Sequence, residues 1–165
     1  MSQQQKIYMT PGCAKRLRAE LKKLLYTDRP TLAKAARIAA EEGDRSENYE
    51  YQATKRAMRK MDGRIHFLTK RIESVEVVDP VKQGDIANGR VLFGATVTVE
   101  DDEGEEKVYS IVGIDEYDGG KGKVSWVSPI GKALLGRSEG DSVSFVTPGG
   151  VSELEIVKVE YTAID

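Results

Sequence analysis

The spacing of apolar residues predicts a long helix at the start of the chain. Thr10-Pro11 marks its beginning, with Thr10 as the N-cap and Pro11 in the first turn. Leucine and alanine residues then recur at helical spacing as far as Glu42. Gly43 follows, and a glycine commonly ends a helix because it adopts left-handed backbone angles without strain.

Pro30 interrupts this helical pattern. Proline lacks a backbone N–H and disfavours helical geometry at the residue before it, here Arg29. We therefore predict a kink or a short break near residues 28–30, with Thr27 or Asp28 available to cap the resumed helix.

A second helix is predicted from about residue 47 to about residue 76. Its apolar positions are Met58, Met61, Ile65, Leu68, Ile72 and Val75. Their alternating spacing of three and four residues is typical of a coiled-coil seam. Two long helices joined by a short turn pack antiparallel. The first half of the chain is thus predicted to be a rod of roughly 45 Å, with residues 43–51 at its tip.

From residue 90 onward the apolar period changes to two, which indicates strands. We predict strands at 90–100, 107–114, 124–127, 141–147 and 151–161. A short helix begins at Ser128-Pro129 and ends at Gly136, and residues 79–89 form a linker. The predicted fold class is α+β: an antiparallel helical hairpin domain, 1–79, followed by a small antiparallel-sheet domain, 80–165.

Charge separates the same two regions. Residues 1–80 carry 17 basic and 11 acidic side chains, whereas the remainder carries 8 basic and 16 acidic ones. Opposite signs in the two halves suggest modules with different roles.

Several classes of protein are excluded by composition. No run approaches the roughly 18 apolar residues of a membrane helix, and the first residues lack the apolar core of a secretory signal. Cys13 and His66 are the only residues of their types, which rules out an intrachain disulfide, a cysteine zinc cluster and a poly-histidine site. We expect a cytoplasmic protein, monomeric and without a membrane partner.

The tip carries two carboxylates, Asp44 and Glu47, three residues apart. Such a pair could share one Mg²⁺, an ion normally held by one or two carboxylates together with waters and substrate oxygens. The site would be too sparse to hold metal tightly alone, but it could complete a two-metal site in another enzyme. The alternative is a capping box, in which Asp44 and Glu47 only satisfy helix-end N–H groups.

Basic residues crowd the hairpin beyond the tip. The cluster consists of Lys55, Arg56, Arg59 and Lys60, to which Arg37 of the first helix can be added. Asp62 is the only acidic residue between Tyr51 and Lys70. Such a stripe attracts a phosphate backbone, although a solvated coiled-coil face has a similar composition. Composition alone leaves both interpretations open.

The tip sequence Gly43-Asp44-Arg45-Ser46-Glu47-Asn48, followed by Tyr51, resembles that of the bacterial Gre transcript-cleavage factors, in their GreB form. Further matches follow in the same order along nearly the whole chain. They include Arg29-Pro30, Phe93-Gly94-Ala95, Ile111-Val112-Gly113, the run from Ser128 to Leu135, and Thr147-Pro148-Gly149-Gly150.

This resemblance implies a function exerted on another enzyme. The C-terminal domain would be FKBP-like and dock on the rim of the RNA polymerase secondary channel, and the coiled coil would enter that channel. Asp44 and Glu47 would help hold the second Mg²⁺ at the polymerase active site and position the attacking water. The polymerase would then cleave its own backtracked RNA near the 3′ end.

The resemblance also implies a role for the basic cluster. Lys55, Arg56, Arg59 and Lys60, with Arg37, would contact the extruded nascent RNA. The chain itself is thus expected to be an accessory factor and not an enzyme.

Three other functions compete with this one. The first is a channel-binding regulator or inhibitor that does not promote cleavage, since some relatives keep the architecture and inhibit polymerase. The second is a prolyl isomerase, which the few aromatic residues of the C-terminal half disfavour. The third is a plain coiled-coil adaptor.

Overall fold

A computed structural model of the chain describes residues 6–42 and 48–165. These residues form two compact units. The hairpin unit spans Lys15–Ser74, and the sheet unit combines the described residues up to Ala14 with Val75–Asp165. The tip residues Asp44 and Glu47 lie outside the described residues.

Three helices dominate the first half of the chain. They are α1 (Pro11–Lys23), α2 (Arg29–Glu41) and α3 (Tyr49–Ser74), and a five-residue π-helical segment, Leu24–Asp28, joins the first two. The predicted start of α1 is confirmed, because the Thr10 hydroxyl oxygen accepts a hydrogen bond from the Cys13 N–H at 3.4 Å.

The interruption expected at Pro30 takes the form of the π-helical segment. The Arg29 N–H donates to the Leu24 carbonyl five residues back, so the helical turn widens just before the proline. Pro30 lies in the first turn of α2, directly after this widened turn. Capping by Asp28 is wrong: this residue keeps right-handed helical angles and its side chain makes no cap hydrogen bond.

The predicted coiled-coil seam is confirmed by the burial of its residues. Leu68 is fully buried, and the seam residues around it on α3 are half-buried, namely Met58, Met61, Ile65 and Ile72. Opposite them, α2 buries Ala36 and Ala39. The helices run antiparallel, because Arg29 meets Asp62 near the start of α2 while Ala39 meets Asn48 near its end.

The sheet unit contains a strand pair that the periodicity did not predict. Strand β1 (Ile7–Met9) pairs in parallel with β2 (Val75–Val77), and the Val78 N–H donates to the Met9 carbonyl at 2.8 Å. Helix α3 therefore ends at Ser74, two residues earlier than predicted. Three-residue strands are too short to produce a readable alternation, which explains why they were missed.

A buried carboxylate holds the segment that follows β1. Glu116 is only 6% exposed and accepts hydrogen bonds from the backbone N–H groups of Thr10, at 3.0 Å, and Gly113, at 3.1 Å. It also accepts one from the Thr10 hydroxyl. Because buried carboxylates are costly without partners, these three donors make Glu116 a fixed anchor for Thr10.

The main sheet has five strands in the order β5-β4-β3-β7-β6. Their bounds are β3 Thr96–Glu100, β4 Glu106–Val112, β5 Lys123–Ser125, β6 Ser142–Thr147 and β7 Gly150–Glu160. All neighbours are antiparallel except β4 and β5, which are parallel. The predicted α+β class is confirmed, with a mostly antiparallel sheet.

Two predictions about the region before the sheet are wrong. The expected linker contains helix α4 (Pro80–Ala87), capped by the Asp79 carboxylate, which accepts from the Val81 N–H at 3.0 Å. The strand expected from residue 90 begins only at Thr96. Val91 and Ala95 are nevertheless fully buried. The alternating apolar pattern therefore predicted which residues are buried but not where the strand begins.

The predicted short helix is confirmed as α5 (Pro129–Leu134). The Ser128 hydroxyl caps it by accepting from the Gly131 N–H at 3.1 Å and donates to the Ser125 carbonyl at 2.6 Å. A Cβ at Gly131 would lie 2.2 Å from that same carbonyl oxygen, so only glycine allows this approach.

Candidate functional site

The last turn of α2 and the first turn of α3 are both bonded to one side chain, that of Asn48. Its Oδ1 accepts a hydrogen bond from the Tyr51 N–H at 3.0 Å, which is the N-cap arrangement of α3. Its Nδ2 donates to the carbonyl of Ala39 in the last turn of α2, at 2.5 Å. One amide thus caps an N–H at the start of α3 and is a second donor to the Ala39 carbonyl, which also accepts from the Glu42 N–H at 3.3 Å.

This contact identifies Asn48, and not Asp44, as the N-cap of α3. The predicted start of the second helix lay near residue 47, and the alternative interpretation used Asp44 as its N-cap. The helix begins at Tyr49 and Asn48 is its cap, so the first turn of α3 does not require Asp44. Asn48 was missed, although asparagine directly before a helical pattern is itself a capping signal.

Two arginines of the hairpin unit form ion pairs between helices. Arg29 of α2 donates through Nε and Nη2 to Asp62, at 2.7 and 3.3 Å. Arg64 of α3 donates in the same two-pronged way to Glu20 of α1, at 2.8 and 2.9 Å. The hydrogen bonds lower the pKa of Asp62 and of Glu20 below their ordinary values.

The basic patch has no such partners among the residues that the structure describes. All five of its side chains are exposed: Arg37, Lys55, Arg56, Arg59 and Lys60. Within residues 6–42 and 48–165, none of them pairs with a carboxylate, and the Lys55 ammonium lies 6.0 Å from the centre of the Tyr51 ring. Asp62, the only acid between Tyr51 and Lys70, is occupied by Arg29. Among the described residues, the positive charge of the patch is therefore not balanced by a paired carboxylate.

A shallow groove of about 290 Å³ brings part of this patch together. Arg37 from α2 and Lys55 from α3 line it, together with Tyr51. Its floor consists of small and flexible apolar side chains, namely Ala33, Ala36, Ala40 and Met58. Arg56, Arg59 and Lys60 do not line the groove but lie on the following one and a half turns of α3. Arg37 was expected to join the basic cluster, and it lines the same groove as Lys55.

The sheet unit presents the opposite charge. A concavity of about 350 Å³ beside the β3–β4 turn is lined by four acidic residues, Asp101, Asp102, Glu103 and Glu105, and by one basic residue, Lys107. Glu153 of β7 adds a further carboxylate. Such a surface repels a phosphate backbone.

Neither a metal site nor a membrane-spanning helix is found among the described residues. In the described part of the chain, no three histidine, cysteine, aspartate or glutamate side chains cluster closely enough to hold a metal ion. Asp44 and Glu47, the predicted metal ligands, lie outside those residues. No helix among the described residues has the length and apolar content needed to cross a bilayer.

Comparison with known proteins decides the family. A family model described as "Transcription elongation factor, N-terminal" matches residues 7–77, and one described as "Transcription elongation factor, GreA/GreB, C-term" matches residues 86–161. The chain belongs to the GreA/GreB family of transcription elongation factors. The two matches correspond closely to the helical and sheet parts of the chain.

Relatives within the GreA/GreB family match the full length. The chain is 46% identical over 165 residues to transcription elongation factor GreB of Neisseria meningitidis serogroup B, covering 100% of both chains. It is 42% identical over 158 residues to GreA of Alkalilimnicola ehrlichii, covering 95% of this chain and 99% of that one. The predicted family, of the GreB type, is confirmed.

Solved structures of family members are also similar. A prokaryotic transcription elongation factor GreA/GreB from Nitrosomonas europaea is 26% identical, with a TM-score of 0.42, and the match covers 94% of this chain and 100% of that one.

Proposed function

We propose that this Gre factor inserts its helical hairpin into the secondary channel of RNA polymerase and stimulates cleavage of backtracked nascent RNA. Arrested elongation complexes would thereby recover a 3′ end in the active site. The chain supplies groups to the polymerase active site and is not a nuclease by itself. Its place of action is then the cytoplasm, where transcription takes place in bacteria.

The observation that carries this proposal is the unpaired basic patch on a Gre-family hairpin. Five exposed cations lie on α2 and α3 with no carboxylate partner among the described residues, whereas Arg29 and Arg64 of the same hairpin are neutralised. An RNA backbone supplies the missing negative charges. The Tyr51 ring, in the groove beside Arg37 and Lys55, offers a surface on which an unpaired base can stack.

Asp44 and Glu47 are proposed to serve the cleavage reaction. Their oxygen atoms are the donor type that Mg²⁺ prefers, and two carboxylates suffice only if polymerase and RNA provide the other ligands. When bound, Mg²⁺ supplies charge stabilisation at the phosphate and a more acidic water. The two carboxylates hold this ion in place and orient the attacking water by accepting its hydrogen bonds.

The hairpin has the dimensions of a probe. Helix α3 alone has 26 residues, which corresponds to a length of about 39 Å. We propose that the sheet unit docks on the rim of the channel while the hairpin extends inward. This arrangement explains why the acidic surface lies on one unit and the basic patch on the other.

A transcript-cleavage assay tests the proposal. The protein and Mg²⁺ are added to a stalled, backtracked elongation complex with labelled RNA, and in parallel to the same RNA without polymerase. We expect shortened RNA only when polymerase is present. Unshortened RNA, with polymerase bound and inhibited, would instead favour the regulator that occupies the channel without promoting cleavage.

A further inference from the structure

The two edges of the five-stranded sheet differ in how their backbone groups are used. The β5 edge is three residues long and is closed by Asp118. The Asp118 N–H donates to the Lys123 carbonyl at 3.1 Å, and the Lys123 N–H donates back to the Asp118 carbonyl at 2.9 Å. The β6 edge is six residues long and pairs, among the described residues, with β7 alone. One edge of the sheet is therefore closed, and the other can accept a further strand.

The register of β6 and β7 shows which backbone groups of β6 point away from the sheet. In an antiparallel pair, residues bonded to the neighbouring strand alternate with residues whose N–H and C=O groups point to the other side. The Ile156 N–H donates to the Asp141 carbonyl at 2.9 Å, so Asp141 belongs to the set that faces β7. Counting onward by two, the N–H and C=O groups of Ser142, Ser144 and Val146 point outward. Three consecutive sites for bonding an added strand thus lie along this edge.

Strand β6 lacks the features that protect an edge strand from pairing. Its sequence, Ser-Val-Ser-Phe-Val-Thr, contains neither a charged residue nor a proline. Charged side chains, proline and short length are the usual means by which exposed edges avoid an added strand. The edge of β6 therefore favours recognition by strand addition, in which an extended peptide bonds to the backbone of the edge.

The side chains beside this edge indicate the charge of the added strand. Ser144 lies opposite Glu153, and Ser142 lies opposite Glu155. Ser142 and both glutamates line one concavity of about 270 Å³, together with three further acidic residues at the end of β3 and in the turn after it. Because the two serines are short, lysine side chains of an added strand can extend over them toward the carboxylates. The charge at this end of the edge is complementary to a basic peptide.

The other end of the edge is apolar. Val146 and Val151 lie opposite each other and are 74% and 68% exposed. An aliphatic side chain on the added strand would cover this pair, since side chains of neighbouring strands on one face pack together. The edge thus presents an apolar position at Val146 and acidic surroundings at Ser144 and Ser142.

We infer that β6 binds an extended basic segment of a partner protein as an added antiparallel strand. Read along the partner, the side chains on the shared face are one aliphatic residue followed by two lysines or arginines at alternate positions. They lie beside Val146, Ser144 and Ser142, respectively. A second copy of β6 offers no basic side chain to Glu153 and Glu155, so the charges favour a basic partner over self-pairing.

A synthetic peptide tests this inference in the absence of polymerase. The probe is the acetylated and amidated peptide Thr-Val-Thr-Lys-Thr-Lys-Thr, which places its valine and both lysines on one face of a strand. Up to about 1 mM peptide, a concentration that populates weak complexes, we expect it to shift the NMR signals of the Ser142, Ser144 and Val146 amides and to slow their exchange with solvent. The same peptide with glutamate in place of both lysines should bind at least about 10-fold more weakly.

Two substitutions at the centre of the edge test where the peptide binds. S144P removes an outward N–H, and S144K keeps the backbone but adds a cation that repels the lysine peptide. Each should weaken binding at least about 10-fold. S74K adds the same charge on the hairpin unit and should bind the peptide as the wild type does. Urea unfolding followed by Trp126 fluorescence shows whether each variant keeps the sheet unit folded, and S144K retains the test if S144P does not fold.

The double variant E153Q with E155Q tests the charge contribution separately. It should weaken binding of the lysine peptide roughly 10-fold at low salt and reduce the dependence of binding on salt, because the contacts are exposed and screened. Absence of binding at about 1 mM, or equal binding by wild type and S144K, would overturn the inference. Equal binding of the lysine and glutamate peptides would overturn it as well. So would slow exchange of the Ser144 amide that grows with protein concentration in the absence of peptide, because a second copy would then occupy the edge.

Discussion

In the sheet unit, ten aliphatic side chains form one buried core on the five-stranded sheet and helix α5, whereas the hairpin unit buries only Leu17, Ala36, Ala39 and Leu68 among its described residues. The sheet unit is thus stabilised mainly by apolar burial. The hairpin unit has a narrow seam, supplemented by ion pairs between helices. Most of its described side chains are exposed to solvent, which is compatible with the proposed insertion of the hairpin into polymerase.

The largest effect is expected where the hairpin acts on its partner. Replacing both tip carboxylates, as D44N with E47Q, keeps the size of each side chain but removes the charges proposed to hold Mg²⁺. Cleavage stimulation should fall by roughly 100-fold or more, since a lost metal contact removes several kcal/mol of stabilisation. The assay is RNA shortening in backtracked complexes at saturating factor.

Binding to polymerase serves as the control for this double variant. We expect its competition with wild-type factor for polymerase to stay close to normal, because we propose that the sheet unit makes the docking contacts. Wild-type cleavage by the double variant would show that Asp44 and Glu47 have no part in the reaction.

The difference between the two cores predicts unequal responses to the same substitution. Ile111 is fully buried in the sheet core, and Ile65 is half-buried in the hairpin seam. I111A should cost about 2–5 kcal/mol, as truncations in a filled core do, and I65A distinctly less. Urea unfolding measures both, with fluorescence of Trp126 reporting the sheet unit and circular dichroism at 222 nm the helices. Equal losses would contradict the contrast between a thick core and a thin seam.

Sequence periodicity predicted this contrast in outline. The stripe from Met58 to Ile72 gave the seam, and the alternation around Val97 and Val99 gave core residues of the sheet. The pairing of strands was harder to predict. Strands β1 and β2 have only three residues each, and the apolar pattern of a strand does not identify the strand that it pairs with. Val91 is buried but does not belong to a strand, so the alternating pattern around it led to a strand prediction that started too early.

The candidate site was predicted to a similar extent. The acidic tip and the basic residues were visible in the sequence because charge and spacing are local properties. The ion pairs of Arg29 and Arg64 were not, since their partners lie 33 and 44 residues away in the chain. Only the folded hairpin distinguishes these two paired arginines from the five cations that have no carboxylate partner in the described part of the chain.

The basic patch should affect cleavage less than the tip and in a salt-dependent way. Replacing Lys55, Arg56, Arg59 and Lys60 with glutamine removes four proposed contacts with RNA phosphates. The dependence of binding on the logarithm of salt concentration should weaken by up to about 0.7 per contact, with the greater loss on long extruded RNA. The measurement is cleavage at several salt concentrations on complexes backtracked by few or many nucleotides.

A second cluster on the hairpin gives a matched control. Lys15, Arg16, Arg18 and Lys22 are also exposed, on α1, and their replacement changes the net charge by the same amount. If both quadruple variants lose the same salt dependence, net charge and not a local contact attracts the RNA. Equal cleavage of short and long extruded RNA by the patch variant would also contradict its role.

The smallest expected effect concerns the ion pair between Glu20 and Arg64. The hydrogen bonds from Arg64 lower the pKa of Glu20 below its ordinary value of 4.5. A carboxylate with a lowered pKa in the folded state adds stability above its unfolded pKa, and this contribution disappears as the pH falls through the folded value. Wild-type hairpin should therefore lose more stability than E20Q between pH 6 and pH 3. The difference should stay below about 1 kcal/mol, because both side chains are well exposed to solvent.

Urea unfolding of the helices at several pH values measures this difference, and E73Q provides its control. Glu73 is an exposed carboxylate of α3 for which the described residues contain no arginine partner, so E73Q should retain the acid sensitivity of the wild type. Identical pH dependence for the wild type and E20Q would show that the pair contributes nothing measurable. The argument for the basic patch would then be weaker, because an ion pair in the structure would no longer distinguish Arg29 and Arg64 from the five cations of the patch.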